Sequence, residues 1–91
     1  MDKIILKPAQ DLTFRSSVEF KESINDALQN YKVIELDMSN VNLVDISTMN
    51  FLITAARGLK NRGGKIIVKH PSQDLKDIFL LTRLDTFLEM E

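Results

Sequence analysis

Asp45, Ser47 and Thr48 lie within four consecutive residues of the run VNLVDISTMNFLI at positions 41–53. A serine or threonine oxygen can accept a phosphoryl group, which brings about -1.5 to -2 charges near neutral pH, and a carboxylate beside it opposes that charge. The same residue types are also the preferred N-caps of helices. Local sequence therefore leaves two readings of the trio, an ordinary helix cap and a switchable phosphate site.

Other residues with chemical potential have plainer roles. Asp37 and Ser39 have the Asp-x-Ser spacing of an Asx-type turn. An aspartyl phosphoacceptor at Asp45 or Asp37 would suit a receiver domain, but 91 residues look too few for five β-α units. His70 is the only histidine and there is no cysteine, so neither a metal centre nor an activated thiol can be assembled around it. Gly63-Gly64 lacks the flanking residues of a nucleotide-binding loop and reads as a turn. Arg57, Lys60, Arg62 and Lys65 gather near the end of a helix, where positive charge complements the helix dipole.

The elements that must position these residues follow from periodicity. Residues 3–7 and 11–15 are short β-favouring pieces around Pro8, expected to pair as terminal strands. Ser16-x-x-Glu19 has capping-box spacing, and Phe20, Ile24, Ala27, Leu28 and Tyr31 form the apolar stripe of a helix running to about Asn30. Residues 32–38 read as a strand, with Val41 to Val44 continuing extended. Met49, Leu52, Ile53, Ala56 and Leu59 form a second stripe, on which Phe51 falls toward the polar side. Residues 65–69 are an apolar strand, and Ser72 is placed to cap a helix carrying Leu75, Ile78 and Phe79. Leu84, Phe87 and Leu88 complete the core, with a possible last strand beyond them. Alternating strands and helices imply an α/β layer on a mixed sheet.

Composition narrows the function classes. At 44% apolar and 27% charged, the chain is that of one compact domain. Twelve basic residues against thirteen acidic ones give a net charge of -1, too little to gather nucleic acid. The absence of cysteine fits a reducing cytoplasm. No apolar run reaches membrane-spanning length, and the opening MDKIILKP is too short in apolar residues for a signal peptide.

The run LDMSNVNLVDISTMNF from Leu36 to Phe51 resembles the signature of the STAS domain, named for sulfate transporters and anti-sigma factor antagonists. That signature reads roughly Leu-Asp-x-Ser-x-Val, one free position, two apolar residues, then Asp-Ser-Ser-Gly-Leu. Leu36, Asp37, Ser39, Val41, Leu43, Val44, Asp45 and Ser47 match it. Gly63-Gly64-Lys65-Ile66 matches the family's glycine pair before a strand, and Leu84 to Phe87 its closing Leu-x-x-Phe. Ile46 replaces the first hydroxyl, Thr48 the glycine and Met49 the leucine, while Asn50 stands where a small residue is common.

The resemblance implies a single STAS domain over residues 1–91, with one layer of helices on a mixed four- to five-stranded sheet. It implies a non-enzymatic, cytoplasmic partner-switching regulator without cofactor or metal. In such proteins the unphosphorylated antagonist binds an anti-sigma factor that is also a GHKL-type serine kinase, phosphorylation releases it, and a PP2C-type phosphatase restores it. Ser47 falls on the phosphoacceptor position, with Thr48 as the spare acceptor. The implied partner surface is Asp37, Ser39, Asp45, Ile46, Ser47, Thr48, Met49, Asn50 and Phe51, with no nucleic acid and no direct membrane insertion. The same fold also serves as a non-switching subunit of a membrane lipid-transport ABC system, the alternative reading.

Overall fold

The computed structural model describes residues 3–91. Strand β1 (Lys3–Leu6) leads to helix α1 (Phe14–Asn30), then β2 (Val33–Asp37), α2 (Ile46–Asn61), β3 (Lys65–Lys69), α3 (Gln73–Leu81), a short 3₁₀ turn (Leu84–Thr86) and β4 (Glu89–Met90). The strands lie in sequence order, β1-β2-β3-β4, with Ile4 opposite Ile34, Ile34 opposite Ile66, and Ile67 opposite Glu89. Each sequential crossover carries a helix, and crossovers of one hand over a sheet in this order lay the helices on one face. Ile34, Leu36, Ile66 and Val68 point into that layer and are fully buried against Ile24, Leu52, Leu59, Leu75 and Phe79. Across the other face run the ion pairs Lys3–Glu35 and Lys69–Glu91, each at 2.9 Å, and Lys65–Glu89 at 3.3 Å.

The α/β architecture, its single helical layer and its four strands agree with the sequence reading, but the sheet is parallel throughout and not mixed. The expected terminal pair fails because residues 11–15 never become a strand. Asp11 instead uses its Oδ1 to accept the N–H groups of Asn42 (2.7 Å) and Leu43 (3.2 Å). Leu12 N–H donates to Leu43 O, and Asp45 N–H returns to Leu12 O, making one parallel bridge between Leu12 and Val44. Nearly all of the extended pairing expected of residues 41–44 is that bridge.

Helix α1 also begins earlier than the Ser16-x-x-Glu19 spacing suggests. Thr13 is the N-cap, and Ser16, in the first turn, accepts the Thr13 N–H at 3.1 Å. Phe14 opens the helix with a left-handed φ of 52°, its side chain 90% exposed. Such a backbone costs on the order of 1–3 kcal/mol. At its far end, Arg62 Nη2 donates to Leu28 O at 2.6 Å, satisfying a carbonyl that the last turn leaves free. Helix α2 ends where Gly63 takes φ 83° and the Gly64 N–H reaches back to Leu59 O. Ser72 caps α3 by accepting Leu75 N–H, as its position in the sequence implies.

Candidate functional site

The Leu12–Val44 bridge brings the loop before α1 alongside the loop before α2, so the two helices start side by side. Asp45 is the N-cap of α2, its Oδ1 accepting Thr48 N–H at 2.8 Å. Hydrogen bonding from Thr48 holds this carboxyl below its ordinary range, with smaller help from Ser47 and the Lys21 charge and against the opposing effect of burial. The cap is therefore ionised at neutral pH. Among the described residues, no three His, Asp or Glu side chains converge to hold a metal ion.

Ser47 stands in the first turn of α2 with its side chain exposed. Its hydroxyl donates to Asp45 Oδ1 at 3.1 Å and accepts from Lys21 Nζ of α1 at 2.9 Å. The oxygen lies on an open surface between a cation and an anion. Thr48 is placed differently. It is fully buried, and its hydroxyl shares a hydrogen bond with buried Ser17 of α1, the oxygens 2.5 Å apart. The Thr48 hydroxyl, expected as the spare acceptor, is thus enclosed between the helices, whereas that of Ser47 faces solvent.

Burial of Thr48 also turns α2 about its axis relative to the expected stripe. The buried line is Thr48, Leu52, Ala55, Ala56 and Leu59, while Met49 and Ile53 are only half-buried. Phe51 consequently packs against the core edge and helps line a groove of about 290 Å³ between α1 and α2, with Leu28, Ala55 and Gly58. Asn50 is exposed and Ile46 is 72% exposed. Asp37 ends β2 and Ser39 follows it, and Ser39 N–H donates to Asp37 Oδ1 at 3.0 Å in an Asx turn. That bond, then the Ser39 hydroxyl, keeps the Asp37 carboxyl low, with weaker help from Lys7 and His70. His70 is exposed in a left-handed bend, φ 56°.

Two features of the site lay outside the sequence reading. Lys21 and Ser17 are ordinary α1 residues until the helix crossing brings them to Ser47 and Thr48; their i, i+4 spacing is the one local sign that they share a face. Phe14 (90% exposed) opens α1 and Val18 (55%) lies one turn on, while Leu43 (56%) is in the loop before α2 and Ile46 opens that helix. Large apolar side chains left to water near adjacent helix starts suit a docking surface.

A family model described as "Mlab, STAS domain" matches residues 3–89. Among solved structures, the chain superposes with a TM-score of 0.86 on the candidate anti-sigma factor antagonist TM1081 of Thermotoga maritima, at 24% identity over 98% of this chain and 78% of that one. It superposes at 0.81 on the anti-sigma factor antagonist SpoIIAA in its unphosphorylated form, at 15% identity over 99% and 80%. The phosphorylated form of the Bacillus cell fate determinant SpoIIAA gives 0.75, at 15% identity over 99% and 83%. A comparison with curated proteins gives no significant sequence match.

Proposed function

The chain belongs to the STAS domain family, and from that premise we propose that it is a cytoplasmic partner-switching regulator similar to an anti-sigma factor antagonist, with residues 1–91 acting as one domain. The observation that carries this reading is the exposed Ser47 hydroxyl at the start of α2, set between Lys21 and Asp45. The unphosphorylated chain docks on an anti-sigma factor that is also a GHKL-type serine kinase. The contacts come from Asp45, Ile46, Ser47, Asn50 and the exposed edges of Met49 and Phe51, with Asp37 and Ser39 at the neighbouring turn. In the transfer step Ser47 Oγ attacks the γ-phosphorus of ATP, ADP leaves, and the hydroxyl proton passes to a base of the kinase. The added charge, next to the Asp45 carboxylate, repels the docked partner and costs desolvation, so the complex separates while the core stays packed. A PP2C-type phosphatase returns the hydroxyl. The chain itself is not an enzyme.

Mass-spectrometric mapping of protein from its native host tests this. Phosphate on Ser47, and loss of partner binding in Ser47→Asp, are expected; an unmodified Ser47 under all growth conditions, with Ser47→Asp binding as the wild type does, overturns the switch.

A second reading, a constitutive STAS subunit of a membrane lipid-transport ABC system, is supported by Thr48 standing where the switching signature has glycine. Affinity purification separates the two, since recovery of an ABC ATPase without any GHKL-type kinase favours the subunit role.

A further inference from the structure

Ser17 and Lys21 leave the same face of α1 one turn apart. Ser17 meets Thr48 in the buried pair, and Lys21 meets Ser47, the residue before it. An ammonium this near a carboxylate would ordinarily pair with it. Here Asp45 Oδ1 already accepts Thr48 N–H and the Ser47 hydroxyl, and the Lys21 hydrogen bond goes to Ser47 Oγ at 2.9 Å. The cation thus stands against the one atom that would carry phosphorus.

We propose that Lys21 is the intramolecular receptor for a phosphoryl group on Ser47, an inference that rests on reading Ser47 as the phosphoacceptor. Esterification of Oγ adds three oxygens within reach of the ammonium, and the bond from Lys21 becomes a charge-assisted one to phosphate. Asp45 repels those oxygens, which directs the group away from the α2 cap and toward α1. The phosphate then ties α1 to α2 without disturbing the Ser17–Thr48 pair beneath. Pairing with Lys21 offsets part of the added charge, and the remainder is what an incoming partner meets.

The test uses the full chain with phosphoserine inserted at position 47 during translation, which needs no kinase. The second ionisation of the phosphate is followed by ³¹P NMR in the Lys21 protein and in the Lys21→Gln and Lys21→Arg variants. The charged groups bonded to Ser47 are Lys21 from α1 and Asp45 from the α2 cap. Lys21 should lower that ionisation on the order of half a pH unit relative to Lys21→Gln. Lys21→Arg should keep the shift, and 1 M salt should shrink it. Superimposable titrations for the Lys21 and Lys21→Gln proteins, both folded by circular dichroism, overturn the receptor role. That failure is distinct from failure of the phosphoacceptor reading, which is read from phosphosite mapping of host protein.

Discussion

Ser17 and Thr48 face each other across the α1–α2 contact as a buried pair of hydroxyls, 31 residues apart in sequence with their oxygens 2.5 Å apart. A hydroxyl can enter an apolar layer when it finds a partner there. This pair sets which residues of α1 face the start of α2, and one turn on it delivers Lys21 to Ser47.

Thr48→Val should destabilise the fold by about 1–3 kcal/mol, because it leaves the Ser17 hydroxyl buried without its partner. The double variant Ser17→Ala/Thr48→Val should recover part of that loss, since it removes both polar groups together. Urea denaturation of the four proteins of this cycle checks it. Strict additivity of the two single changes would mean that the hydroxyls are not coupled.

Gly58, in the last turns of α2, and Gly64, just before β3, should respond oppositely to alanine. A Cβ at Gly58 meets nothing within 4 Å, so Gly58→Ala, on an exposed helix interior, should stabilise by about 0.5–1 kcal/mol. A Cβ at Gly64 would overlap the carbonyl oxygen of Lys32 and lie 2.7 Å from Leu59 Cγ, so Gly64→Ala should lower the denaturation midpoint. Stabilisation by Gly64→Ala would show that the β2–β3 entrance yields more readily than its geometry implies.

Periodicity made most of the fold legible because each strand and helix carries its own apolar pattern: β2 and β3 lie within a residue of their expected spans, α2 stops just before the glycine pair, and α3 begins after Ser72. Residues 11–15 were illegible because their β-favouring composition is overridden by a long-range contact, the Asp11 carboxylate on the amides of Asn42 and Leu43. The orientation of α2 was illegible for a similar reason. Hydropathy places a threonine outside, and only the meeting with Ser17 turns Thr48 inward and Phe51 toward the core edge. At the site, the capping potential of the Asp45, Ser47 and Thr48 trio could be read from local sequence, whereas the approach of Lys21 could not, since tertiary packing alone brings it there.

The Asp45 cap should make part of the stability acid-sensitive. Its folded carboxyl ionises below the ordinary value of 3.8, so this contribution is complete above the unfolded value and disappears as pH falls through the folded one. Asp45→Asn keeps a good N-cap without the charge. Wild type should therefore exceed Asp45→Asn in melting temperature at neutral pH, with the gap closing as pH falls through the lowered value of the folded carboxyl. A gap that is independent of pH would assign the difference to shape and not to ionisation.

Ile46 separates docking from folding. It is 72% exposed in the first turn of α2, beside Ser47. An acidic residue is well tolerated near a helix N-terminus, so Ile46→Glu should change stability by no more than about 0.5 kcal/mol. If exposed Ile46 belongs to the apolar part of the docking face, the same change buries a charge in the interface and should weaken binding to the co-purified kinase by about tenfold or more. Titration calorimetry measures the affinity, and thermal denaturation of the same sample checks the fold. Undiminished affinity in a fully folded Ile46→Glu protein would move the docking face off the start of α2, and with it the reason for a charge switch at Ser47.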